Sequence, residues 1–170
     1  MWGMSGTKVV FCHGLESAPQ GTKFRALVDA GYDVLAPDCQ GLVLLERVDL
    51  VRRVVLGYAV PPLLVGSSYG GLTALVVAAE LAGRGVMVPG LVLCAPALLL
   101  SEPPVDSAPV RVVAPTTIIH GRRDDVVPLA ASREFATGQQ AELIEVDDDH
   151  RLAGSLDVLV SAVSRALGSG

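Results

Sequence analysis

Short apolar runs alternate with segments of helical period along the whole chain. Val9-Val10-Phe11-Cys12 is rich in β-branched residues and is stopped by His13-Gly14. Val34-Leu35-Ala36, Leu63-Leu64-Val65, Leu91-Val92-Leu93-Cys94, Thr117-Ile118-Ile119 and Leu143-Ile144-Glu145-Val146 follow. Most are continuously apolar, the pattern of strands covered on both faces of a parallel sheet. Turn-forming Pro37, Gly66, Pro96, Gly121 and Asp147 close them.

Between these runs the apolar spacing changes to that of helices. The segment 24–30 carries Phe24, Leu27 and Val28, with Gly31 placed as a C-terminal stop. Over 42–58, Leu44, Val48, Val51 and Val55 form one stripe, and Glu46, Asp49 and Arg53 fall on another face. That segment is a surface helix. The segment 71–82 is nearly all apolar and predicts a helix buried against the sheet. Segments 129–136 and 156–167 complete the set, the last with Leu156, Leu159, Val160 and Val163 on one side. Strand and helix in alternation imply right-handed crossovers and a single-domain, doubly wound α/β fold with a mostly parallel sheet of about six strands over 1–170. One stretch, 97–115, breaks the rhythm with Pro103, Pro104, Pro109 and Pro115 around Leu98-Leu99-Leu100. It reads either as a flexible wall or lid over a site or as a plain crossover loop.

Composition narrows the function classes. The 170 residues carry 13 Lys plus Arg against 18 Asp plus Glu, a net charge of −5, which argues against a nucleic-acid footprint. A hydrophobic fraction of 51% excludes intrinsic disorder, yet no run reaches the length of a membrane span. The segment 1–8 lacks the charged and apolar regions of a secretory leader. Cys12, Cys39 and Cys94 show no metal-ligand spacing and read as reduced core residues, so a cytoplasmic protein is expected. A charged fraction of only 18% points to exposed apolar surface and allows a homodimer or partner interface.

The chemistry centres on Gly66-Ser67-Ser68-Tyr69-Gly70, a G-x-S-x-G pattern between an apolar strand and an apolar helix. A serine on so tight a turn has its hydroxyl lifted clear of the sheet, and its neighbours must lack bulk. Ser68 is therefore the candidate nucleophile. Of the three histidines, His13, His120 and His150 all follow strands, so position alone does not select the base. Chain order does: folds with this elbow run Ser, then acid, then His. Only His150 lies beyond an acidic loop that itself follows Ser68. In that loop Asp124 and Asp125 both qualify as the carboxylate that holds the imidazole. The Leu15 amide, after His13-Gly14, and the Tyr69 amide, at a helix N-terminus, are the candidate oxyanion donors. His13 and His120 read as loop-bracing side chains.

Taken together, His13-Gly14, Gly66-x-Ser68-x-Gly70, His120-Gly121-x-x-Asp124-x-Val126-Val127-Pro128 and Asp149-His150 resemble the α/β-hydrolase superfamily. The stretch His13-Gly14-Leu15-Glu16-Ser17-Ala18-Pro19, with Lys23, is similar to small lidless bacterial esterases of the YqiA type. The resemblance runs from about Val9 to the last helix. It implies a minimal fold without a cap domain and a shallow, open site. It also favours Asp124 over Asp125, because the acid is the first Asp after His-Gly-x-x.

What it implies chemically is hydrolysis of carboxylic esters or thioesters through an acyl-serine, with neither metal nor organic cofactor. A hydrolase-like binding module without turnover is the alternative from another class. Acyl transfer or peptide hydrolysis with the same three side chains is a third reading. The run Asp147-Asp148-Asp149 beside His150 is expected to favour a charged imidazole, so that activity falls below roughly pH 6.5 to 7.

Overall fold

The computed structural model describes residues 8–105 and 110–168. In chain order the elements are β1 (Lys8–Cys12), α1 (Thr22–Asp29), β2 (Asp33–Leu35), α2 (Leu44–Leu56), β3 (Leu63–Ser67), α3 (Tyr69–Ala82), β4 (Leu91–Cys94), β5 (Thr116–Gly121), α4 (Leu129–Gln139), β6 (Glu142–Val146) and α5 (Leu156–Ala166). The six strands form one sheet in the order β2-β1-β3-β4-β5-β6, and every pairing is parallel. The expected α/β fold with about six strands is the one observed.

Alternation along each inner strand divides the core between two faces. Val10, Leu64, Leu93 and Ile118 pack with Leu44, Val48 and Val51 of α2, Leu72 and Leu75 of α3 and Ala136 of α4. Their sequence neighbours Val9, Phe11, Val65, Val92 and Ile119 face the other way, against Leu27 of α1 and Leu159 and Val163 of α5. Fully burying each such side chain contributes about 1.5–3 kcal/mol, which is why continuous apolar runs mark the central strands. The edge strands depart from that pattern: β2 has an exposed Leu35 and β6 is only half-buried, since each lacks a neighbour on one side.

Element ends follow the expected signals with small shifts. Gly31 has a φ of 94°, and the amides of Gly31 and Tyr32 close on the carbonyls of Val28 and Leu27, a Schellman stop for α1. Helix α3 begins at Tyr69 rather than at 71, because the elbow itself supplies the first turn. No described helix is long and apolar enough to cross a membrane.

Because all strands run the same way, the loops after β1, β3, β4, β5 and β6 gather at one rim of the sheet. The order reverses between β1 and β3, and open α/β sheets form their crevice at such a switch point. Other crossovers carry a helix; among its described residues the 95–115 connection from β4 to β5 carries none. Residues 106–109 of the expected wall or lid lie outside the described residues, as do 1–7 at the start of the chain.

Candidate active site

Ser68 sits between β3 and α3 with φ 55° and ψ −116°, a conformation that costs a non-glycine residue of order 1–3 kcal/mol. Its surroundings enforce it. The Ser68 amide donates to the Cys94 carbonyl at 2.8 Å, and the Ser68 carbonyl accepts from Gly71 at 3.0 Å and from Ala97 at 3.0 Å. A Cβ on Gly66 would fall on the Gly70 carbonyl, and one on Gly70 on the Cys12 carbonyl, so both pattern glycines are steric necessities. Gly71 is nearly as tight, with a Cβ there 3.0 Å from Pro96 Cβ.

At this turn three distant side chains meet. The Ser68 hydroxyl lies 3.1 Å from His150 Nε2, and His150 Nδ1–H donates to Asp124 Oδ2 at 2.8 Å. The Asp124 side chain is fully buried, whereas Asp125 is exposed. Asp124 Oδ1 accepts the Val126 and Val127 amides, each at 2.8 Å. Burial opposes ionisation of this carboxyl, but the bonds from His150, Val127 and Val126 prevail and hold it below the usual carboxylate range. Of the two aspartates left open by residue chemistry, Asp124 is the one that is buried and bonded to His150.

His120 and His13 brace loops, in line with expectation. His120 is fully buried; its Nε2–H faces the Val127 carbonyl at 2.9 Å and Asp124 Oδ2 at 3.1 Å, while Nδ1 meets the Ser132 hydroxyl at 2.8 Å. His13 Nε2 accepts the Cys39 amide at 2.9 Å, which leaves the proton on Nδ1 to donate to the Gly14 carbonyl at 2.8 Å. Burial foremost, with the Arg47 cation beside it, lowers the His13 pKa and keeps the ring neutral.

The acids before His150 have hydrogen-bond partners of their own. Asp147 pairs with Arg123 at 2.9 Å, and Asp148 turns inward to the Gly154 amide and the Ser155 hydroxyl. Asp149 accepts the Arg151 amide. Of the carboxylates among the described residues, Asp124 is the one hydrogen-bonded to the His150 ring. The acids at 147–149 shape the loop.

Leu15 is exposed in the turn after β1. Gly14 does not take a left-handed φ, and a Cβ there would lie 3.2 Å from Ser17 Oγ and in ordinary contact, 3.8 Å, with Ser68 Cβ. The amides of Leu15 and Tyr69 have no backbone acceptor among the described residues.

Sequence reasoning missed Arg47. It is 1% exposed, and its Nη1, Nη2 and Nε donate to the carbonyls of His13 (2.7 Å), Gly14 (3.2 Å) and Leu42 (3.2 Å). The guanidinium carbon stands 4.7 Å from the centre of the Tyr69 ring, whose hydroxyl donates to Glu102 at 3.0 Å. Burial first, then Glu102, pushes the Tyr69 phenol up to about 12. The signal was available: Arg47 follows Leu44 by three and precedes Val51 by four, so it stands on the apolar stripe.

A cavity of about 140 Å³ lies between α3, α4 and the 95–115 connection, lined by Leu72, Leu98, Leu100, Val105, Val110, Phe135 and Gln139; Ser68, Asp124 and His150 do not line it.

No protein-family model matches the sequence, and no curated protein sequence matches it. Solved structures do resemble it. One is a protein from Xanthomonas campestris pv. campestris assigned to the α/β superfamily of hydrolases, with 24% identity, 97% of this chain and 99% of that chain covered, and a TM-score of 0.79. Another is the α/β hydrolase domain-containing protein 10 from mouse, with 18% identity, coverage of 98% and 92%, and a TM-score of 0.76. A monoacylglycerol lipase from Paleococcus ferrophilus superposes with 17% identity, coverage of 95% and 96%, and a TM-score of 0.72. At these identities the likeness speaks for architecture: the chain has the α/β-hydrolase fold in a minimal form, with no cap domain among the described residues.

Proposed function

We propose that this protein is a serine hydrolase that cleaves carboxylic esters or thioesters through an acyl-serine. The observation that carries the reading is the hydrogen-bonded chain from Ser68 through His150 to the buried Asp124, mounted on a strained elbow. His150 Nε2 takes the Ser68 proton as Oγ attacks the acyl carbon. Asp124 fixes the imidazole tautomer and stabilises the imidazolium without itself taking the proton. The Leu15 and Tyr69 amides hold the oxyanion. His150 then protonates the departing alcohol or thiol, and water repeats the sequence to free the acid and restore Ser68.

Exposed Leu15, Leu99 and Val126, on loops at the same rim as Ser68, support an acyl group rather than a charged substrate. A fluorophosphonate probe tests the reading. Wild type is expected to label at Ser68 and Ser68→Ala not to label. A chain-length series of p-nitrophenyl esters and acyl thioesters then ranks the substrates. An unlabelled, inert wild type would leave a binding module in its place.

A further inference from the structure

The serine-hydrolase reading leaves a buried cation unexplained. Arg47 lies on the apolar face of α2, where Val48, Val51 and Val55 around it are fully or almost fully buried. Among the described residues it forms no ion pair; its donors go to main-chain carbonyls. Burying an ion without a direct counter-charge costs several kcal/mol, and an aliphatic side chain would fill this stripe more cheaply. Stability alone does not select arginine here.

Its contacts indicate what the charge does. A trans peptide points its C=O and N–H in opposite directions, so gripping a carbonyl aims the next amide. Arg47 grips the carbonyls of His13 and Gly14, which orients the amides of Gly14 and Leu15 away from α2. The Gly14 carbonyl is held twice, by Arg47 Nη2 and by His13 Nδ1, and His13 is itself fixed by the Cys39 amide. Bonds from a guanidinium are charge-assisted and polarise the peptide they hold, which strengthens its N–H as a donor. The same guanidinium stacks over Tyr69, whose amide is the second donor and whose hydroxyl is anchored on Glu102.

We infer that Arg47 is the positioning residue of the oxyanion site, locking the Leu15 and Tyr69 peptides in the orientation that receives the developing charge. This rests on the serine-hydrolase reading above. It touches no substrate atom, so its contribution falls on the transition state and not on substrate binding.

The test uses Arg47→Met, which keeps the volume and apolar packing of the stripe, and Arg47→Lys, which keeps a cation but not the two-carbonyl fork. For both, kcat, KM, melting temperature and the inhibition constant of an alkyl boronic acid, a mimic of the tetrahedral adduct, are compared with wild type. The expected result is a fall in kcat of about 10²-fold for Arg47→Met, with KM within about twofold, boronate affinity lost in proportion, and an undiminished melting temperature. Arg47→Lys is expected to recover part of kcat. Constants within about twofold of wild type in both variants would overturn the inference, as would a fall in kcat that tracks lost melting temperature in both. A wild type that the fluorophosphonate does not label would instead remove the hydrolase reading, so the two failures are told apart.

Discussion

His120 Nε2 lies 3.1 Å from the same Asp124 oxygen that receives His150 Nδ1 at 2.8 Å. One carboxylate oxygen thus serves a buried, loop-bracing ring and the ring that reaches Ser68, while the other oxygen is filled by two amides. Asp124→Asn is expected to lower kcat/KM by about 10³- to 10⁴-fold, because an amide no longer dictates the imidazole tautomer. Asp125→Asn, on the exposed neighbour, is expected to stay within about threefold. Steady-state kinetics on an activated ester decides; equal losses would mean the acid is misassigned.

Glycine substitutions separate contact from propensity. Gly70→Ala drives a Cβ into the Cys12 carbonyl, where backbone meets backbone, and is expected to destabilise by more than about 3 kcal/mol. Gly138→Ala, inside α4 with nothing within 4 Å, is expected to stabilise by about 0.5–1 kcal/mol. Urea unfolding of the two proteins measures both signs.

A third expectation concerns acid. The His13 pKa is lowered in the folded protein by burial and by Arg47. Below the unfolded value of about 6.5 the unfolded chain binds the additional proton, so His13 draws stability downward as pH falls towards the folded value. Urea midpoints at about pH 7 and about pH 5.5 are expected to differ more in wild type than in His13→Gln. Parallel slopes in the two proteins would count against a neutral, buried His13.

Asp124 acts in a lower window. Its folded pKa is depressed, so its contribution is complete above the unfolded value of about 3.9 and is lost as pH drops through the folded one. The melting-temperature gap between wild type and Asp124→Asn is therefore expected to narrow below about pH 4. A gap that stays constant to about pH 2 would contradict the ionised state assigned to Asp124.

Much of this architecture was legible in the residues, and the misses have physical causes. Central strands such as Leu91–Cys94 announce themselves because both faces are covered, and the Ser68 elbow because only glycine fits at 66 and 70. The partner of Ser68 was readable from chain order. Composition could not rank Asp124 above Asp125, since adjacent identical side chains differ only in which way the turn points them. For the same reason, the nearness of the acids at 147–149 to His150 in sequence carried no information about where they point. Arg47 was hidden by its charge. On a helical stripe a single cation is ordinarily set aside as surface, and only the carbonyls it meets reveal otherwise.

The span from β4 to β5 hangs from a few polar tethers: Ala97 on Ser68, Glu102 on Tyr69, and the Val112 amide on Gln139. Doubling the length of a flexible span costs only about 0.6 kcal/mol in closure entropy. This stretch is thus the natural graft point of the scaffold, where segments could be added while the sheet and the Ser68–His150–Asp124 chain keep their places.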